Sequence, residues 1–277
     1  MRRFLPVLYL LCTVALLSAC GTSSKKEEDA EITADRAVET IYNEAADEMD
    51  AGKYKKAARL FAEVERQHPY SQWATQAQLM NAYALYRSSD YDEATIALER
   101  FIRLHPGHKD IDYAYYLRGL CSYDQITDVT RDQDMTKSAL ENFDTLLRLF
   151  PESRYARDAS LKRDLTLDHI AGKNMDIGRY YLTRGYYTAA VKRFMVVIRE
   201  YQTTTHTPEA LHRLVEAYMH LGMLNEATRV AAVLGYNYPG SVWYNDSFKL
   251  LNEEQRAKLM DERSFVDKTI DSLLKVD

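Results

Sequence analysis

One cysteine near the start of the chain has the surroundings of a lipid attachment site. Cys20 ends a Leu-Ser-Ala-Cys sequence, and an apolar run from Phe4 to Leu17 precedes it. The run is shorter than the ~20 residues that span a bilayer, so residues 1–19 are predicted to be a removable export signal. Cys20 would then become the N-terminal residue and carry a covalent lipid anchor. The alternative is an ordinary secretory signal with a chance cysteine.

The residues after Cys20 indicate where this anchor is held. In lipoproteins that the segment resembles, an aspartate after the cysteine retains the protein in the inner membrane, whereas this chain has Gly21. We therefore expect the outer membrane. Residues 20–36 are small, polar and charged, which predicts a lipidated flexible tether.

Three aspartates, Asp128, Asp132 and Asp134, have side chains that suit a calcium ion. An EF-hand loop beginning at Asp132 needs glycine at its sixth position and glutamate at its twelfth. The chain has Lys137 and Phe143 there. Helix capping is the better prediction, with Asp132 or Asp134 accepting hydrogen bonds from N–H groups at the start of the next helix.

The remaining reactive side chains predict no catalytic or metal site. No two of the seven histidines have the i, i+4 spacing of a metal-binding helix, and the chain lacks a G-x-S-x-G, a P-loop and a G-x-G-x-x-G motif. Cys121 has no histidine in its predicted helix pair, so we expect a small core residue and no intrachain disulfide in the mature chain. No enzyme activity and no cofactor besides the lipid on Cys20 are expected.

Composition points to a helical, mildly acidic protein. The formal net charge is −5, and it becomes −7 when the two positive charges of Arg2 and Arg3 leave with the signal. Such a chain has no general attraction for nucleic acid, so nucleic-acid partners are not expected. With 21 tyrosines but only 10 glycines and 6 prolines in 277 residues, it has few turn formers, which favours helices.

A recurring pattern predicts the elements that position these side chains. It has a small residue, Tyr or Leu two positions later, Ala three after that, an apolar residue four further on, and often a proline. The small residues are Gly52, Ser89, Gly185 and Gly222. With a period of roughly 34 residues, the pattern resembles the tetratricopeptide repeat, an antiparallel helix pair. The predicted fold is all-α, a solenoid of about five helical hairpins with C-terminal closing helices.

The repeats predict two groups of units. Residues 37–151 would hold units 1–3, the third with a long connection over residues 124–133 between its helices. Residues 152–277 would hold an extra helix at about Arg154–Ala171, units 4 and 5, and closing helices at Asp246–Leu251 and Glu253–Leu274. Gly119 and Gly178 would occupy close-packing positions in the first helices of units 3 and 4.

The first helices of stacked pairs line the concave face, and here they are rich in tyrosine. Tyrosine buries a large area at modest entropic cost and keeps a hydroxyl, so such a groove suits an extended peptide with aromatic side chains. The alternative for each ring is to fill the space between helices. The candidate peptide-binding residues are Tyr42, Tyr83, Tyr86, Tyr113, Tyr116 and Tyr123.

Four segments resemble the ComL/YfiO family, the BamD lipoproteins of outer-membrane protein assembly. They are Phe101–Leu120, Tyr180–Arg193, Tyr42–Ala45 and the insertion Asp128–Asp134. The resemblance covers nearly the whole mature chain. It implies a non-enzymatic, lipid-anchored subunit of the β-barrel assembly machine that faces the periplasm beside other Bam lipoproteins.

The resemblance also implies partners for both groups of repeats. In that family the N-terminal repeats are associated with unfolded outer-membrane β-barrel proteins, recognised through an extended, aromatic-rich C-terminal β-signal. The C-terminal repeats are associated with the POTRA domains of BamA. Arg193 occupies the family position implicated in that contact, and its guanidinium suits a bidentate pair with a partner carboxylate. The alternative is an internal salt bridge.

Two other functions fit a lipid anchor joined to helical repeats. One is an adaptor for cell-wall synthesis or pilus assembly, which the insertion and the Tyr180–Arg193 segment disfavour. The other is a wall-lytic enzyme on a repeat scaffold, for which no segment long enough to be a catalytic domain is left.

Overall fold

The computed structural model describes residues 37–260, which form twelve α-helices with no strand among them. The predicted signal (1–19), the lipid site at Cys20, the tether (20–36) and everything beyond residue 260 lie outside the described residues. The helices are α1 (Val38–Asp50), α2 (Tyr54–Gln67), α3 (Gln72–Arg87), α4 (Tyr91–Leu104), α5 (Ile111–Tyr123), α6 (Asp134–Leu149), α7 (Ala156–Thr183), α8 (Tyr187–Glu200), α9 (Thr207–His220), α10 (Leu224–Asn237), α11 (Val242–Leu250) and α12 (Glu253–Met260).

The chain divides into two compact units, one ending at Leu117 and the other beginning at Arg118. In the first unit, α1 to α4 pack as two consecutive hairpins. In the second unit, α7 and α8 form a hairpin, α9 and α10 form the next, and α11 and α12 pack on that last pair. The predicted all-α class of tetratricopeptide-like hairpins is thus confirmed. In the described part of the chain, no helix has the length and apolar character needed to cross a membrane.

The hairpin turns depend on the small residue of the repeat pattern. Gly52, Gly185 and Gly222 have φ angles of 73°, 78° and 72°, the left-handed region in which glycine has no steric penalty. Ser89 stands at the equivalent turn of the second hairpin, with φ of 63°. A side chain in this conformation is strained, so the second turn is less favourable than the other three.

Replacing this serine with glycine is expected to stabilise the protein. Ser89→Gly should raise the free energy of unfolding by about 1 kcal/mol, because a left-handed L-residue costs about 1–2 kcal/mol and the added freedom of the unfolded chain offsets part of that gain. The reverse exchange, Gly222→Ser, should lower it by a similar amount. Urea unfolding of both variants is the measurement. If both have the same stability as the unsubstituted protein, the turn tolerates either residue.

The alanine and the apolar residue of the pattern form the cores of the hairpins. All of them are fully buried: the small alanine lets paired helices approach, and in three of the four hairpins a larger side chain fills the space beside it. In order along the chain they are Ala57 and Phe61, Ala94 and Leu98, Ala190 and Phe194, and Ala227 and Ala231.

Gly119 and Gly178 are close-packing positions, as predicted. A Cβ atom on Gly119 would lie 2.6 Å from Cε1 of Phe143, and one on Gly178 would lie 2.8 Å from both Cδ1 and Cζ of Phe194. Both rings are fully buried. In each case the ring of the second helix rests directly on the backbone of the first, which only glycine permits.

The first helix of the fourth hairpin is longer than predicted. The sequence predicted a separate helix at about Arg154–Ala171, but the structure has one continuous helix of 28 residues, α7. No proline interrupts this stretch. At Gly172 this helix packs closely against other segments, since a Cβ there would lie 3.1 Å from His206 Nε2 and 3.5 Å from Val129 Cγ1.

Helix α11 closes the last hairpin through a buried histidine. Ser241 caps the helix by accepting a hydrogen bond from the Tyr244 N–H at 3.2 Å, so α11 begins four residues before the predicted Asp246. Nδ1 of His212 on α9 lies 2.8 Å from Oγ of Ser247. Burial lowers the pKa of His212, which favours the neutral imidazole in this contact.

Candidate binding surfaces

Five tyrosines and one arginine gather at the end of α3 in the first unit, and we call them the tyrosine–arginine cluster. Helix α3 supplies three of these residues near its C-terminus, α2 and α4 each supply their first residue, and α5 supplies one. The members are Tyr54, Tyr83, Tyr86, Arg87, Tyr91 and Tyr113.

Arg87 is the centre of the cluster. Its Nη1 donates a hydrogen bond to the Tyr83 hydroxyl at 2.9 Å, and its Nη2 donates to the Tyr54 hydroxyl. The guanidinium carbon lies 4.5 Å from the centroid of the Tyr54 ring and 5.7 Å from that of Tyr83. These are cation–π distances, so the rings and hydroxyls together fix the direction of an exposed cation.

Ring pairs extend the cluster to neighbouring helices. The centroids of Tyr83 and Tyr113 are 6.3 Å apart with planes inclined at 59°, and those of Tyr86 and Tyr91 are 5.8 Å apart at 56°. All four side chains are half-buried. Each ring is therefore held by packing while part of its surface remains accessible, as in a preorganised binding surface.

The other predicted tyrosines lie elsewhere. Tyr42 packs between helices, 5.4 Å from the ring of Phe61 and 4.8 Å from that of Trp73, and burial raises its pKa. Tyr116 is half-buried, one turn along α5 from Tyr113. Tyr123 belongs to the second unit, where its ring meets Phe143 edge-on at 5.9 Å.

The sequence prediction missed three members of the cluster, Tyr54, Arg87 and Tyr91. A signal for two of them was present, since Tyr54 and Tyr91 each stand two positions after the small residue of a repeat. Arg87 has no such signal, because its role depends on Tyr83 of its own helix together with Tyr54 of another helix.

Arg193 is an exposed residue of α8 in the second unit. Its Nη1 lies 3.5 Å from Oδ1 of Asn174, the outer limit of a hydrogen bond. Among residues 37–260, no carboxylate lies within ion-pair distance of it, so the structure does not contain the internal salt bridge that was the alternative for this residue.

An aromatic strip lies where α7 turns into α8. Tyr180 and Tyr186 are 53% and 61% exposed, and the ring of Tyr181 lies between them, 5.7 Å from one and 6.4 Å from the other. Arg184 lies over Tyr180, with its guanidinium carbon 4.6 Å from the ring centroid. Tyrosine and arginine are both enriched at protein interfaces, so this strip has the composition of an interaction surface.

The insertion between α5 and α6 is fastened to α7. Lys173 Nζ donates to the Thr130 carbonyl at 2.5 Å, and His169 Nδ1 lies 3.3 Å from Gln133 Oε1. Between the insertion, α7 and His206 there is a cleft of about 450 Å³ with Ile126 and Leu165 among its walls.

The aspartates of the insertion make local hydrogen bonds. Oδ1 of Asp132 accepts from the N–H of Asp134, the first residue of α6, at 2.8 Å, which is a local contact of the predicted kind, whereas the N-cap residue itself is Gln133 and its side chain makes no capping hydrogen bond. Oδ1 of Asp128 accepts from both the N–H and the hydroxyl of Thr130, which lowers the pKa of Asp128. Within residues 37–260, no group of three or more potential ligand side chains is placed to hold a metal ion.

Comparison with known proteins gives the family. The family model described as YfiO, outer membrane lipoprotein, matches residues 34–234 of the chain, well over half of its length. The chain belongs to the YfiO family. This confirms the resemblance that the Phe101–Leu120 and Tyr180–Arg193 segments indicated.

Several relatives of this YfiO-family chain are named outer membrane protein assembly factor BamD. The one from Caulobacter vibrioides is 45% identical, covering 90% of the chain and 81% of the relative. The one from Rickettsia prowazekii is 47% identical, covering 85% and 92%. A third, from Neisseria meningitidis serogroup A, is 39% identical and covers 84% and 92%. The similarity therefore spans both units.

Proposed function

We propose that this chain is a non-enzymatic outer-membrane protein assembly factor, which binds unfolded β-barrel proteins and docks onto the POTRA domains of BamA. The observation that carries the proposal is the set of relatives named BamD, 39–47% identical over most of the chain. The protein would act from the periplasmic face of the outer membrane, held by lipid on Cys20.

The tyrosine–arginine cluster supports binding of unfolded clients in the first unit. An extended strand presents every second side chain to the same surface, and accessible rings on several helices can contact such side chains in turn. Tyr83, Tyr86 and Tyr113 supply rings whose positions are fixed before the client arrives, which reduces the entropic cost of binding.

The exposed residues of the second unit support docking onto BamA. Arg193 has five N–H donors and no carboxylate partner in the described residues, so it can pair with a carboxylate of another protein. Tyr180 and Tyr186 add apolar area on the same unit. A charged anchor with aromatic surface is a frequent arrangement at interfaces.

Photocrosslinking tests the client site. A photoreactive phenylalanine at Tyr86 or Tyr116 should label an aromatic-ended β-signal peptide several-fold more than the same group at Tyr236, an exposed tyrosine of α10 in the second unit. All three substituted positions are tyrosines, so the comparison tests their location and not the residue type. Labelling confined to the C-terminal third of the chain would contradict the proposal.

Copurification from detergent-solubilised outer membranes tests the wider role. The proposal requires BamA among the proteins recovered with the tagged chain. Recovery of a pilus secretin or a cell-wall synthase without BamA would instead favour the adaptor function.

A further inference from the structure

We propose that Arg87 binds the terminal carboxylate of a bound polypeptide, while the tyrosine rings around it contact the aromatic side chain of the same last residue. This inference rests on the proposed function, because it assigns particular residues of the first unit to the C-terminal end of an unfolded client.

The guanidinium of Arg87 is oriented without being neutralised. Its two recorded hydrogen bonds go to the hydroxyls of Tyr83 and Tyr54, which are neutral acceptors and use two of its five N–H groups. Three N–H groups remain for a ligand. Because both hydroxyls belong to packed tyrosines, the fork of donors has a fixed direction, and an anion that binds it need not order the side chain first.

Two other arginines of the same unit are paired with carboxylates. Arg66 contacts Glu63, and Arg100 contacts Glu65. In the part of the chain that the structure describes, Arg87 has no carboxylate within ion-pair distance. It therefore retains a full positive charge beside an accessible aromatic surface, which is the condition for attracting an anionic group from another molecule.

The short distance between the cation and the rings favours a chain terminus over an acidic side chain. The guanidinium carbon lies within 6 Å of the centroids of Tyr54 and Tyr83, and Tyr113 is the next ring beyond Tyr83. In a C-terminal residue, the carboxylate and the side chain leave the same Cα. In an internal strand, the nearest side chain on the same face as a glutamate is two residues away, about 6.6–6.8 Å along the backbone. A terminal aromatic residue fits the closer spacing.

Two peptides that differ only at their end test this inference. Each has ten residues, alternates aromatic with polar neutral side chains, contains no Asp or Glu and ends in phenylalanine; one has a free carboxylate and the other a carboxamide. Binding to the full mature chain is measured by fluorescence anisotropy. The carboxamide should bind about tenfold more weakly, the loss of one charge-assisted interaction.

Arg87→Gln should remove this difference and bind both peptides about as weakly as the unsubstituted protein binds the carboxamide. Arg100→Gln is the matched control, since it removes an exposed arginine of the same unit that is already paired, and it should keep the tenfold preference. If Arg87→Gln unfolds, the double variant Tyr54→Phe, Tyr83→Phe replaces it. This variant retains the rings but removes the acceptors that orient Arg87, so its preference for the free carboxylate should fall.

The outcomes separate this inference from the proposed function. Equal affinity of the unsubstituted protein for both peptides would overturn the carboxylate site and leave client binding intact. A preference for the free carboxylate that persists in Arg87→Gln would also overturn it. Failure of both peptides to bind would overturn the client-binding proposal, and the carboxylate site with it.

Discussion

Arg193→Leu is expected to weaken binding to BamA by roughly thirtyfold, with no change in helix content. Removing one partner of an interfacial charge pair costs about 2 kcal/mol or more, because the partner carboxylate loses its bidentate donor and stays desolvated. Stability should be unaffected, since Arg193 is exposed and its one recorded contact, with Asn174, is at 3.5 Å. Titration of the purified POTRA domains by calorimetry measures the affinity, and circular dichroism measures the helix content.

Two further variants show whether the effect belongs to this guanidinium. Arg193→Lys keeps the charge but loses the planar fork, so its affinity should lie between those of the unsubstituted protein and Arg193→Leu. Arg229→Leu makes the same change at an exposed arginine of α10, on the same unit, and should bind as the unsubstituted protein does. Affinity unchanged in Arg193→Leu would remove this residue from the interface.

Gly178→Ala should lower the free energy of unfolding by about 1–3 kcal/mol, although alanine is the better helix former. Alanine gains about 1 kcal/mol of helix propensity in the middle of a helix. Its Cβ, however, would lie 2.8 Å from two ring carbons of Phe194, a fully buried side chain that cannot move without displacing its neighbours. Overpacking of this kind typically costs more than the propensity returns.

A glycine of the second unit without such a neighbour provides the control. Nothing lies within 4 Å of a Cβ built on Gly240, so Gly240→Ala should leave stability nearly unchanged. Denaturant unfolding of both variants under the same conditions gives the comparison. Equal stability of Gly178→Ala and the unsubstituted protein would mean that the Phe194 ring can shift at little cost.

The sequence predicts those features of the fold that depend only on residues close to one another in the chain. The turn at Gly52, Gly185 or Gly222 needs only a residue that tolerates positive φ, and the alanine and apolar positions follow from helical spacing. The length of α7 could not be predicted in this way. At Gly172, a poor helix former, α7 packs against His206 and Val129, which are distant in sequence.

The same distinction applies to the candidate surfaces. The repeat pattern placed Tyr83 and Tyr113 on the first helices of successive units, and their ring centroids lie 6.3 Å apart. Residue type alone could not separate Tyr42, which packs between helices, from Tyr86. The role of Arg87 became visible only when the hydroxyl groups of Tyr54 and Tyr83 were located, since each belongs to a different hairpin.

The full burial of Cys121 makes the protein convenient for spectroscopic labelling. Maleimide reagents need an accessible sulfur, and within residues 37–260 this is the only thiol, enclosed by the core. A cysteine introduced at an exposed site of residues 37–260 can therefore carry a spin label or fluorophore while Cys121 stays in place. Distances within each unit can then be followed in solution.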